Sequence, residues 1–350
     1  MSKAVTLWVP GLLSEQRRVE SEQAWLDLKL PALRTLFKRA DLFPTKSLLS
    51  QKNRDFFATA SNLFHQSQTL PVAPTLAKKL LTEFDDGLFW IKIDPIQMLP
   101  DRDTLVLLPA EDLAITESEA KALILAFNEH FAQDQVAIIY GSPNDWFLSV
   151  KQAVDLKTTP LSEARYKQLD DKYPTGNAAQ YWRQLLNEAS MLFYMHPVNE
   201  QRREQGHPEI NGVWLWGEGK LDSFNIQPRG DAKIWSSDTY LQGLAALTNA
   251  ESAEFPESQQ TSQEGLKACL DSTQTEHLVM PDRLAERLDS LSCEEWLDAV
   301  KWLEREWLVP LMQALKDGQI HSLLLELGDG YRYHIEPKHL KRFWRFKNRI

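Results

Sequence analysis

Apolar positions in this chain switch period several times, and each switch marks an element. The run Ala4–Pro10 is short, rich in β-formers and closed by Pro10-Gly11, which predicts a buried first strand. PALRTLFKRA (31–40) carries Leu33, Leu36 and Phe37 at helical spacing, and residues 45–83 read as mostly helical. From residue 88 the texture changes: LFWIKID and TLVLLP read as strands, TESEAKALILAFNEHF as a helix, QVAIIYG and DWFLSV as two more strands. Thr116 is a cap, and Glu119 three residues on completes a capping box. Residues 86–152 therefore run β-β-α-β-β.

After polar residues 153–177, NAAQYWRQLLNEASMLFYMH (177–196) is a helix stopped at Pro197, with Trp182, Leu185, Leu186, Ala189, Leu192 and Phe193 on one face. Residues 233–247 read as strand, cap and helix, and 249–264 as a loop or linker. LKACLDS and EHLVMP are expected as strands. Residues 290–318 form a long amphipathic helical stretch bent or broken near Pro310, and HSLLLELGDG with GYRYHIEP two final strands. There is no internal repeat.

Composition narrows the class. With 350 residues, 43% of them hydrophobic, the chain can bury one large core plus an inserted lobe. A net charge of −10 argues against nucleic acid as a partner, since phosphate contact needs clustered Lys and Arg. The basic, aromatic stretch 338–349 runs against this trend, but its packing on an acidic body is the simpler reading. The apolar N-terminal run is too short to span a membrane. Cys269 and Cys293 form no CxxC pair, so neither a disulfide framework nor a zinc site is suggested, and a reducing cytoplasm is the expected compartment.

The densest polar and aromatic segment is HPVNEQRREQGHPEINGVWLWGEGK (196–220). His196, Asn199, Arg202, Asn211 and Trp216 are its candidate ligand-binding residues; the competing reading is a helix stop whose polar side chains satisfy buried backbone. Trp214-Leu215-Trp216 alternates like a strand, and Gly217 and Gly219 allow a turn or a close backbone approach. GEG is not a dinucleotide fingerprint, and no HExxH, GxSxG or P-loop motif is present.

HPVN-x2-R-x3-G-x4-N-x2-W-x-WG-x-G followed by AKIWSSDTYLQGLA resembles a segment of the archaeal-type cofactor-independent phosphoglycerate mutases, in the alkaline phosphatase superfamily. The likeness is closer to a bacterial, mutase-like branch described as RpfE-type regulatory proteins. LWVPGLL, LPALRTLFKRAD, PTGNAAQYWRQLLNEASML, EREWLVPLMQALKDGQI and KHLKRFWRF extend it over almost the whole chain. It implies an α/β fold: an alkaline-phosphatase-like central sheet sandwiched by helices (residues 1–85 plus 178–350), with an inserted α+β lobe and linker at 86–177. It also implies chemistry by two divalent metals (Mn, Mg or Zn) and a serine that is phosphorylated and passes the phosphoryl group on.

The residues that would carry that chemistry depart from the pattern. Active relatives end the first strand in Asp-Gly, whereas this chain has Pro10-Gly11. Ser47, Ser50 and Ser61 lie in the nucleophile region without a following Asp. Asp329 is followed by Gly330 where the pattern has Asp-His, and Asp282 has no His after it until His321. The expectation is therefore no catalytic residue, no metal site and no cofactor: a catalytically inactive homologue acting as a binding or regulatory protein. Its partner would be a small phosphorylated or carboxylated ligand, held by Arg202 and backbone amides, or a protein. The alternative is a divergent metal-dependent mutase or phosphohydrolase whose ligands have moved to Asp101, Asp103, His277, Asp329 and His334.

Overall fold

A computed structural model describes residues 2–14, 19, 25, 27–45, 56–102, 104–255, 262–285, 288 and 291–342. Ser47, Ser50, Asp103 and the tail from Phe343 lie outside the described residues. In chain order the main elements are β1 (Lys3–Trp8), α1 (Pro31–Arg39), β2 (Asp41–Pro44), α2 (Phe56–Leu63), α3 (Val72–Leu80), β3 (Phe89–Asp101), β4 (Thr104–Leu108), α4 (Glu117–His130), β5 (Ile138–Tyr140), β6 (Trp146–Val150), α5 (Ala179–Tyr194), α6 (Pro197–Gln205), β7 (Gly212–Gly219), β8 (Ala232–Trp235), α7 (Thr239–Thr248), β9 (Glu251–Ala253), α8 (Ser262–Asp271), β10 (Glu276–Val279), α9 (Cys293–Leu303), α10 (Val309–Lys316), β11 (Ile320–Glu326) and β12 (Tyr331–Ile335).

The chain divides into two compact units, one of residues 1–69 with 226–350 and one of residues 70–225. In the first, a seven-stranded mixed sheet has the order β2-β12-β11-β1-β10-β8-β9. β1 lies between β10 and β11, parallel to both, and β12 and β2 add an antiparallel edge. Val5, Leu7, Val279, Leu323 and Leu325 bury one face against Leu36 and Phe37 of α1, Cys269 of α8, Trp296 of α9 and Leu311 of α10. On the opposite face Trp8 stacks on Phe56 of α2 at 4.8 Å.

The second unit is an antiparallel sheet built on β3, whose 13 residues pair with β4 at one end and with β6 and β7 at the other. Strand alternation sends Phe89, Ile91 and Ile93 to a core with α4 and α5, and Trp90, Lys92 and Asp94 to the other face. β7 pairs directly with β3 over Trp90–Ile96, and Trp182, Leu185 and Phe193 of α5 share that core. So α5 and β7, which the resemblance placed with the core of residues 1–85 plus 178–350, group with this unit by compactness.

Another expectation differs, and two are refined. LKACLDS is the end of helix α8 and not a strand: Leu266 and Cys269, three apart, both face the core, and Gly265 lets the helix lie against Trp307 and Phe255. The stretch 290–318 is interrupted by a π turn at Glu304–Leu308, just before Pro310. Its Glu304 carboxylate is buried and accepts hydrogen bonds from the Ala32 (2.6 Å) and Leu33 (2.9 Å) amides, capping α1 from afar. Finally, Pro197 does not only close a helix; it opens α6 at the first helical position.

Candidate functional site

The segment 196–220 folds as a brace inside the second unit. His196 caps α6, its Nδ1 accepting from the Val198 amide at 3.2 Å, and Gly206 ends the helix in the left-handed conformation. Asn199 is fully buried: its Nδ2 donates to the Phe193 (2.7 Å) and Ile210 (2.8 Å) carbonyls, and its Oδ1 accepts from the Ile210 amide (2.8 Å). Arg202, 2% exposed, donates to the Pro208 carbonyl at 2.6 Å, to Glu119 at 2.8 Å and to the Leu113 carbonyl. It thereby ties α6, the return loop and the start of α4 together. Burial raises the Glu119 pKa, but the Thr116 amide and hydroxyl with Arg202 more than offset it and hold the carboxyl below its ordinary value.

Asn211 pairs with Met98 like one more strand residue, accepting from its amide (2.7 Å) and donating to its carbonyl (2.9 Å). Trp216 donates its indole N–H to Asp94 at 2.6 Å. Gly217 sits at φ +68°, and a side chain there would come within 2.9 Å of Val72; one at Gly219 would overlap Pro71. These glycines admit α3 against β7. The motif's hydrogen-bonding groups are thus directed into the fold, and none of its five candidates lines a described cavity.

Sequence reasoning passed over a charged cluster beside it. Lys92 pairs with Asp94 two residues along β3 and with Asp145 at 2.7 Å, and Ser142 donates to Asp145 at 2.6 Å. Lys92 also lies over the rings of Phe147 and Trp216. Burial pushes the Asp94 carboxyl up to about 6 despite Lys92 beside it. Asp145, with the same ammonium and the Ser142 hydroxyl, stays below its ordinary value although burial opposes this. The available signal was two opposite charges at i and i+2 within an apolar strand; the structure sets each opposite a Trp of β7.

In the first unit the ends of β1 and β11 meet. Gly11 (φ +78°) and Gly328 (φ +86°) approach so closely that a side chain on Gly328 would overlap the Gly11 backbone. Pro10 offers no donor atom. Asp329 accepts from the Tyr331 amide at 3.1 Å and from the Tyr333 hydroxyl, while Asp282 accepts from the Ser237 amide at 2.8 Å. Ser61 is buried, its hydroxyl 3.1 Å from that of Tyr240. His334 bonds Ser322 at 2.9 Å. His277 accepts from the Trp235 indole at 3.2 Å, and burial, then Lys3, push its imidazole down to about 4. Asp101 lies at a hairpin tip in the second unit.

A two-metal centre needs several carboxylates and imidazoles converging on one space. Among the described residues no group of three His, Cys, Asp or Glu is placed to hold a metal. Asp282 and Asp329 each hold local backbone amides, and the described donors do not converge on one space.

Comparison with known proteins finds partial likenesses. No family model matches the chain. A 2,3-bisphosphoglycerate-independent phosphoglycerate mutase of Methanosarcina barkeri is 25% identical over 112 residues, and one of Methanosarcina mazei is 21% identical over 229. Over part of its length the chain is similar to 2,3-bisphosphoglycerate-independent phosphoglycerate mutases. Those matches cover 31% and 61% of this chain and 28% and 57% of the two relatives, so the likeness spans from about a quarter to a little over half of their length. The fold is shared over more of the chain. A cofactor-independent phosphoglycerate mutase of Thermoplasma acidophilum superposes with a TM-score of 0.50 at 14% identity, over 95% of this chain and 90% of that one. A Pyrococcus horikoshii protein does so with a TM-score of 0.59 at 10% identity, over 96% and 88%. No described helix is long and apolar enough to cross a membrane.

Proposed function

We propose that this relative of the phosphoglycerate mutases is non-catalytic and works by binding, as a cytoplasmic protein of the bacterial regulatory (RpfE-type) branch. One observation carries the reading: where β1 and β11 end, the place of the first ligand is taken by Pro10 with Gly11 and Gly328 in backbone contact, while Asp329 is held by Tyr331 and Tyr333. Asp329 is anchored within its own turn and strand, and Pro10 supplies no oxygen to share a metal with it. The binding partner on this reading is a small phosphorylated or carboxylated molecule or a protein. Arg202 is not its anchor, because removing that guanidinium from its three partners would open the brace.

The test is metal content with turnover. Purified protein incubated with Mn²⁺, Mg²⁺ or Zn²⁺ and desalted retains no stoichiometric metal, and does not turn over 3-phosphoglycerate or aryl phosphates. Two metals per chain together with chelator-sensitive turnover would overturn the reading and favour the divergent enzyme.

A further inference from the structure

At the free end of the β3–β4 hairpin lies a cavity of about 410 Å³ that the functions above do not use. Its walls are Arg102 and Thr104 from the hairpin and Asp170 and Tyr173 from the following turn, with Leu105 and Leu169 as an apolar floor. The seam beneath is fixed: the Leu169 amide donates to Leu105 at 3.2 Å and the Tyr166 amide to Leu107 at 2.8 Å. Both sides of the cavity are therefore held at a set separation.

Two features mark this place. Asp101 pairs with Thr104, so Arg102 stands in a two-residue turn, and it adopts φ +53°. Glycine or asparagine takes that conformation at lower cost, so the backbone is strained at Arg102. In addition, the polar groups around the cavity are unspent. Among the described residues neither Arg102 nor Asp170 has a hydrogen bond or an ion pair, although both line one space, and the Tyr173 hydroxyl has no partner. The Thr104 hydroxyl is buried without one. Burial first, then the Asp170 charge, hold the Tyr173 phenol above its ordinary value, so it stays a neutral donor.

We propose that this cavity binds a small zwitterion, a free α-amino acid. A simple anion would satisfy Arg102 but face Asp170, and a simple cation would do the reverse. A ligand carrying carboxylate and ammonium satisfies both, with the Tyr173 hydroxyl available to the carboxylate and the leucine floor to a small apolar side chain. A cavity of this volume holds one such molecule.

Titration of the full chain with L-leucine, N-acetyl-L-leucine and L-leucine amide, followed by calorimetry and ligand-observed NMR, tests this. Free leucine is expected to bind, and blocking either charge to weaken it at least about tenfold. Arg102→Ala and Asp170→Asn, both at exposed positions, should do the same with an unchanged melting temperature. Arg102→Gly should melt higher, because the turn is relieved, and yet lose binding. The proposal is overturned if leucine does not bind the wild-type chain at millimolar concentration, if the blocked derivatives bind equally, or if Arg102→Gly binds as the wild type does.

Discussion

Replacing Asp94 by Asn tests the electrostatics of the second unit. Lys92 carries one positive charge, and Asp94 with Asp145 carry two negative ones, all in or beside a buried sheet face. The Asp94 carboxyl moves from 3.8 to about 6 on folding, chiefly through burial. At about 1.4 kcal/mol for each pKa unit, the ionised form weakens the fold by up to about 3 kcal/mol relative to the protonated one. Because the folded-state pKa lies above the unfolded one, the folded chain holds the proton more tightly. The stabilising contribution is complete below pH 3.8 and is lost as pH rises through about 6. Between pH 5 and pH 7 this one group changes unfolding free energy by about 1 kcal/mol.

Asparagine cannot titrate, so that slope should vanish in the variant. The absolute level at pH 7 should move less. Asp94 accepts from both Lys92 and Trp216, and Asn can accept well from only one, which costs about 1–2 kcal/mol against the charge relieved. Urea unfolding of both proteins at pH 5, 6 and 7, followed by tryptophan fluorescence, measures the difference in slope. A wild-type chain and a variant with parallel pH dependence would refute the reasoning, as would a carboxyl NMR titration placing Asp94 near 4.

Arg202→Ala should cost about 3 kcal/mol, read as a lower urea midpoint, because it leaves the Pro208 and Leu113 carbonyls and Glu119 without their buried partner; a loss below about 1 kcal/mol would mean the brace is not needed. Gly328→Ala puts a side chain into the Gly11 backbone at a φ of +86° and should destabilise by about 2 kcal/mol or more, seen as a lower melting temperature. Gly206→Ala, also at positive φ but with open space around it, should cost only about 1 kcal/mol by the same measurement.

The sequence-legible parts of this molecule are those where local pattern and tertiary role agree. The Thr116–Glu119 capping box forms as read, and the β-β-α-β-β order of residues 86–152 holds because each strand alternates toward one core. What escaped reading depends on distant partners. Glu304 looks like one more helix-surface charge, yet it caps a helix about 270 residues earlier. LKACLDS is too short for a strand period and a helix period to differ, and its helix begins inside a stretch that reads as linker. His196 and Arg202 looked like a binding site because polar residues that hold backbone and polar residues that hold ligands share one composition. Only their partners distinguish them. The unspent groups around Arg102 are the converse case: a Leu-Pro-Asp-Arg-Asp-Thr hairpin reads as an ordinary turn, and its vacant donors appear only when the turn at Leu169–Tyr173 is brought beside it.

The placement of β1 between β10 and β11 has a consequence for synthesis on the ribosome. Its two neighbours begin at Glu276 and Ile320, so the first strand made has no sheet to join until the last quarter of the chain has emerged. Residues 70–225 contain every described strand of their own sheet, and they leave the tunnel before Glu276 and Ile320 do. The middle of this protein should therefore fold ahead of its beginning, with the N-terminal apolar run Ala4–Val9 left waiting as a client for chaperones.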